Sequence, residues 1–216
     1  MNISYEPNFS MEKFNNDIRI QNLVNICLDN NYGQVFDDIV GAIALPNENA
    51  VIDFFDKLEH KYRSAPNFQL FSKYRLIILS LFRDSQIKNL KGAFLEVLSF
   101  KILEKQHNPY IFCTDCNVII DSWKSNLTVD IAMESDSSAL CCECKVPTSK
   151  FTWNIFKNLL DIKNQSQNYF SVYAVTLSEQ ERMDSKKQRI NRSVPESIGV
   201  IDEVHCITRE NLINFS

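Results

Sequence analysis

Residues 127–146 read LTVDIAMESDSSALCCECKV. Two apolar runs rich in β-branched and small side chains flank a polar ESDSS segment, so the stretch reads as two strands joined by a turn. Charge sits inside both runs: Asp130 in the first, Glu143 and Lys145 in the second. An ionised side chain among apolar strand residues is costly unless a partner or a metal meets it. Strand alternation places Glu143 and Lys145 on one face, with Cys144 opposite. The 13-residue spacing from Asp130 to Glu143 suits neighbouring strands of a hairpin. Two acids and a lysine are therefore expected to converge.

Working outward, residues 110–123 form a third β-type segment before this pair. Residues 85–106 precede it as a helix, with Ser85 as cap and Asn108 and Pro109 as the stop. That helix is apolar on nearly every side, yet its KGAFLEVLSFKIL stretch carries Glu96, a third acid where charge is expensive. After the hairpin, Thr148 or Ser149 starts a helix reaching about residue 167, with Phe151, Ile155, Leu159 and Ile162 as its stripe. Residues 171–177 are a strand, 178–192 a polar helical stretch, and 198–207 a last apolar segment. Toward the N-terminus, residues 17–30, 48–62 and 68–83 have helical periodicity. Residues 1–14 read as loosely structured, and 31–47 as mixed, closing on the breaker Leu45, Pro46 and Asn47. The expected fold is α/β (mixed α+β): a helical N-terminal region over residues 1–84, then an αβββαβ core over 85–216. The core has a central mixed sheet flanked by helices. At least one parallel crossover is required, through the helix at 150–167.

The residues Glu96, Asp130 and Glu143-Cys144-Lys145, in this element order, resemble the PD-(D/E)XK nuclease superfamily with its restriction-endonuclease-like fold. The resemblance covers about residues 85–180, and it departs from the motif at Val129, where the family has Pro. It implies a Mg²⁺-dependent endodeoxyribonuclease, with Mn²⁺ as a substitute, whose catalytic residues are Glu96, Asp130, Glu143 and Lys145. Asp130, Glu143 and the backbone carbonyl of Cys144 would bind the metal, which suits hard oxygen ligands. Glu96 would act through a metal-bound water or a second metal. Lys145 would orient the attacking water or offset developing charge. Bacterial defence or restriction is the implied setting, with the chain acting as a dimer or inside a larger complex.

Other chemistries find less support. Gly33, Gly41, Gly92 and Gly199 are the only glycines, which excludes a dinucleotide fingerprint and a Gly-rich phosphate loop. Six Pro and four Gly argue against a turn-rich sandwich or propeller. His60, His107 and His205 show no ligand spacing. Asp121 and Glu134 read as turn residues. Cys113, Cys116, Cys141 and Cys142 or Cys144 leave a Cys₄ zinc module open, although free Cys is more often a core residue. A non-catalytic binding or scaffold subunit is the other alternative, favoured if Lys145 closes an ion pair with Asp130.

The net charge is −4, and residues 1–60 hold ten acids against three bases. The helical region is therefore expected to dock a protein partner or a second copy rather than DNA. Lys150, Lys157, Lys186, Lys187, Arg189 and Arg192 are the expected nucleic-acid contacts. No basic, apolar leader opens the sequence, no apolar run reaches membrane-spanning length, and seven Cys is an odd number. These features lead to the expectation of a cytoplasmic protein with free thiols and no membrane contact.

Overall fold

The computed structural model describes residues 1–29, 33–136 and 138–215; Asn30 of the 17–30 segment, Asn31 and Tyr32 of the 31–47 segment, and Ser137 of the expected turn lie outside the described residues. The chain forms two compact units, Lys13–Val97 and Met1–Glu12 with Leu98–Ser216.

The helical unit contains α2 (Ile18–Asp29), α3 (Gln34–Ala44), α4 (Glu48–Tyr62), α5 (Phe68–Phe82) and the first half of α6 (Ile87–His107), after the short turn of α1 (Glu12–Asn15). Asn47 starts α4 by accepting a hydrogen bond from Ala50 N at 3.0 Å. The helix α3 occupies the stretch expected to be mixed. Its apolar residues Val35, Phe36, Ile39, Val40 and Ile43 recur at helical spacing and are all buried. Buried Asp38 interrupts that pattern and finds donors on three helices: Tyr62 Oη at 2.6 Å, Tyr74 Oη at 3.0 Å and Gln34 Nε2 at 2.7 Å. Around this carboxylate Tyr62 stacks on Phe71, and Phe71 meets Tyr74 edge-on.

The other unit is built on a seven-stranded mixed sheet. Its strands are β1 (Ile3–Pro7), β2 (Ile111–Ile120), β3 (Trp123–Lys124), β4 (Val129–Glu134), β5 (Ala139–Cys144), β6 (Phe170–Val175) and β7 (His205–Ile207). The spatial order is β1-β2-β4-β5-β6-β7, with β3 pairing β2. The pairs from β1 to β5 are antiparallel, and β5–β6 and β6–β7 are parallel. Helix α7 (Trp153–Gln165) supplies the first parallel crossover and α8 (Gln180–Ser193) the second. The expected order is thus present as α6, β2, β4, β5, α7, β6. Val118, Ala132, Cys141 and Val172 of the sheet pack with Phe151, Phe156, Leu159 and Met183 into one core. Burying each large apolar side chain contributes roughly 1.5–3 kcal/mol.

Some details differ from the sequence reading. Residues 3–7 form an edge strand instead of a loose start, because Ile3 and Tyr5 alternate toward the core and pair with a strand more than a hundred residues away. Thr148–Lys150 is a separate 3₁₀ turn, so Lys150 lies off α7, whereas Lys157 lies on it. Only His205–Ile207 of the last apolar segment is strand. The two units divide inside α6, whereas residue 84 falls in the turn before it. Among the described residues no helix is long and apolar enough to cross a membrane.

Candidate active site

The site is set by strand register. Ile131 on β4 pairs with Cys142 on β5, so one step further Asp130 stands opposite Glu143. Glu143 and Lys145 continue the face of β5 on which Cys141 enters the core. The strand is fixed just past its end, where Lys145 N donates to Val175 O of β6 at 2.9 Å. The site therefore lies at the carboxyl end of a parallel strand pair, the usual place for ligands in such sheets.

Like charges directly opposite each other destabilise a sheet. Lys145 answers this repulsion: its Nζ lies 2.6 Å from Glu143 Oε1 and 3.1 Å from Asp130 Oδ2. Cys144 N also donates to Asp130 Oδ2, at 2.6 Å. The two carboxylate side chains are only 13% and 11% exposed, whereas that of Lys145 is 28% exposed. Burial raises the Asp130 carboxyl above its usual range, against the pull of Lys145 and the Cys144 amide. Burial also works against the Lys145 ammonium, but Asp130 and Glu143 outweigh it and hold it above the usual lysine range. Both directions express one imbalance: two buried acids share one cation.

Asp115 has no part in the sequence reading. The pairs Thr114–Ile131 and Cys116–Val129 leave it beside Asp130, and its charge adds to the pressure on that carboxyl. Its backbone is left-handed at φ 47°, a conformation Asp tolerates. Its carboxylate accepts from Ser10 N at 3.0 Å and Ser10 Oγ at 2.5 Å, tying down the chain after β1. Its signal is the same as that of Asp130, a charge inside an apolar strand.

Glu96 is buried on α6 in the helical unit and accepts from Asn15 Nδ2 at 3.5 Å. Within the sheet unit, the structure brings Asp130, Glu143 and Lys145 together. Glu134, expected in a turn, is instead the buried last residue of β4, holding Tyr5 Oη at 2.6 Å and Tyr169 Oη at 3.0 Å. Cys113, Cys116, Cys141, Cys142 and Cys144 are all buried free thiols. Burial raises the thiols of the first four, against the thiolate that zinc requires. Among the described residues no three His, Cys, Asp or Glu side chains are grouped to hold a metal ion.

The basic residues separate into distinct environments. Lys186 and Arg189 line an open cleft of about 420 Å³ beside Thr148 and Ser149, together with Arg182. Lys187 turns the other way and pairs with Asp202 at 3.2 Å. Lys157 lines a second cleft of about 280 Å³ that also contains Asp161, Glu196 and Glu203, a poor setting for phosphate. Lys150 and Arg192 are exposed.

No family model matches the chain, and no curated protein matches it in sequence. Among solved structures it is similar to protein VC1899 from Vibrio cholerae, at 10% identity and a TM-score of 0.47 over 98% of this chain and 56% of that one. It is also similar to Can2 from Sulfobacillus thermosulfidooxidans, solved in complex with cyclic tetra-adenylate, at 10% identity and a TM-score of 0.43 over 98% of this chain and 54% of that one. The chain spans little more than half the length of either protein. The functional reading rests on the site's own residues.

Proposed function

We propose that the chain is a metal-dependent nuclease that hydrolyses phosphodiester bonds of DNA, with Asp130, Glu143 and Lys145 at its centre. The observation that carries this reading is the meeting of two nearly buried carboxylates with a partly exposed lysine, at the carboxyl end of a parallel strand pair. A lysine charged and fixed beside two acids is suited to position a water and to offset charge developing on a phosphate.

The donor set fits Mg²⁺ or Mn²⁺. Asp130 and Glu143 offer hard oxygens with an excess of negative charge, and Mg²⁺ is commonly held by one or two carboxylates with waters completing its shell. Asp130, Glu143 and the Cys144 carbonyl would hold the ion, which when bound acidifies a water and polarises the phosphoryl group. Cys144 N keeps Asp130 oriented through its hydrogen bond, and Lys145 holds its proton at Nζ throughout. The setting we favour is bacterial defence or restriction, by fold-level analogy alone.

One observation favours a second reading, a non-catalytic binding subunit: Lys145 already closes ion pairs with both acids. Cleavage of plasmid, single-stranded DNA and RNA separates the two. Wild type with Mg²⁺ or Mn²⁺ is expected to cut DNA, and EDTA, Glu143→Ala and Lys145→Ala each to abolish cutting. Cleavage that survives in both folded variants would refute the assignment of the site. A wild type as inert as the variants with either metal would favour the binding subunit.

A further inference from the structure

The helix α8 is anchored to the core by Met183 and Ile190, and Lys187, on the same side, pairs with Asp202. This fixes the direction of the neighbouring stripe. Arg182, Lys186 and Arg189 follow one another at spacings of four and three, so they share one face. All three line the 420 Å³ cleft with the Thr148 and Ser149 edge of the 3₁₀ turn. Lys186 Nζ reaches Ser149 O at 3.4 Å. Among the described residues no carboxylate lies within ion-pair distance of these three cations. Lys124, Lys145, Lys163 and Lys187 of the same unit each have such a partner. Three like charges stacked along one helix face repel each other, and an anion in the cleft relieves that repulsion.

We propose that this cleft binds the phosphodiester backbone of a nucleic acid, through Arg182, Lys186 and Arg189. Its chemistry matches a phosphate chain, because the guanidinium groups offer forked donors to phosphate oxygens, and Ser149 and Ser185 at the wall add hydroxyls. Thr148 follows Lys145 by three residues, so their Cα atoms are at most about 11 Å apart. A strand held here runs within a few nucleotides of the Asp130–Glu143–Lys145 trio. Glu179 and Glu181 also line the cleft and oppose binding, which supplies a test of opposite sign. The identity of the anion rests on the nuclease reading, whereas the cleft stands on its geometry.

The test is fluorescence anisotropy of the full chain with labelled duplex DNA, single-stranded DNA and RNA, in EDTA so that no cutting occurs. The triple variant Arg182→Gln, Lys186→Gln and Arg189→Gln is expected to bind about tenfold or more weakly. Its salt dependence on duplex is expected to fall by about 2.7, at about 0.9 per lost phosphate contact. Glu179→Gln with Glu181→Gln is expected to tighten binding, an outcome no misfolded chain produces. Lys57→Gln and Lys61→Gln, exposed on α4 and outside the cleft, are expected to leave the slope nearly unchanged. Unchanged affinity and slope in the triple variant, or no binding by wild type, would overturn the proposal. Binding is read in EDTA and cleavage separately with Mg²⁺, so failure of the catalytic site and failure of the cleft give separate results.

Discussion

Lys145 shows how one side chain can hold an otherwise repulsive pair together. Removing it leaves Asp130 and Glu143 facing each other in near-complete burial. Breaking a fully buried pair costs about 3–5 kcal/mol; with Lys145 partly exposed, Lys145→Met is expected to cost about 2–3 kcal/mol at pH 7. The remaining acids are then harder to ionise folded than unfolded, so this deficit should grow as pH rises through the carboxylate range and vanish in acid. Urea unfolding of both proteins between pH 4 and 7, roughly the span in which carboxylates titrate, measures it. Lys91 gives the reverse case. Burial lowers its ammonium to about 8 from 10.5, although Nζ donates to Leu45 O at 2.5 Å and lies over the Phe82 ring. The charged form is penalised in the folded state, fully below pH 8 and not at all above 10.5. Lys91→Met is expected to be more stable than wild type by about 1–2 kcal/mol at pH 7, once the lost hydrogen bond is subtracted. That advantage should close as pH rises from 8 to 10.5, the two ends of the shift.

At the scale of elements, buried carboxylates act as clips between segments distant in sequence. Asp38 joins α3 to α4 and α5 through two tyrosine hydroxyls, and burial pushes that of Tyr62 up to about 12. Tyr74→Phe removes a donor to a buried carboxylate and is expected to cost about 1.5–3 kcal/mol by denaturant unfolding, with little change in the helical circular dichroism. Glu134 does the same between β1 and the end of β4 through Tyr5, and with Tyr169 before β6. Neither clip is legible in the sequence. Asp38 lies in a stretch that reads as mixed, and Glu134 in one that reads as a turn. Their tyrosine donors come from 24 to 129 residues away, and a sequence window of helical or strand length does not contain them.

Charge takes on a different meaning across the whole molecule. Residues 1–60 are acidic by seven, which suggests an acidic helical region for docking a partner. Grouped by unit, Lys13–Val97 carries ten acids and ten bases, and the sheet unit carries 17 acids and 13 bases. The early acids are matched at close range: Glu48 by Arg83, Asp56 and Glu59 by Arg75, and Glu59 again by Arg63. The helical unit is therefore neutral, and acidity is no argument for a partner there. The units also explain a truncation. A chain of residues 85–216 lacks β1, so one edge of the long strand β2 is left unpaired. Exposed edges template association, and this fragment is expected to self-associate more strongly than the full chain on size exclusion.

Local pattern suffices for the order of elements, the parallel crossover through the helix after β5, and the meeting of Asp130, Glu143 and Lys145. Each follows from periodicity or from spacing within one hairpin, where neighbours in sequence are neighbours in space. Long-range packing is needed for the edge strand β1, the place of Asp115 beside Asp130, and the partners of the buried acids. It also sorts the basic residues, since Lys187 and Arg189 look alike in the sequence but one meets Asp202 and the other lines a cleft. Such outcomes depend on side chains brought together from far along the chain, and a local pattern carries no record of them.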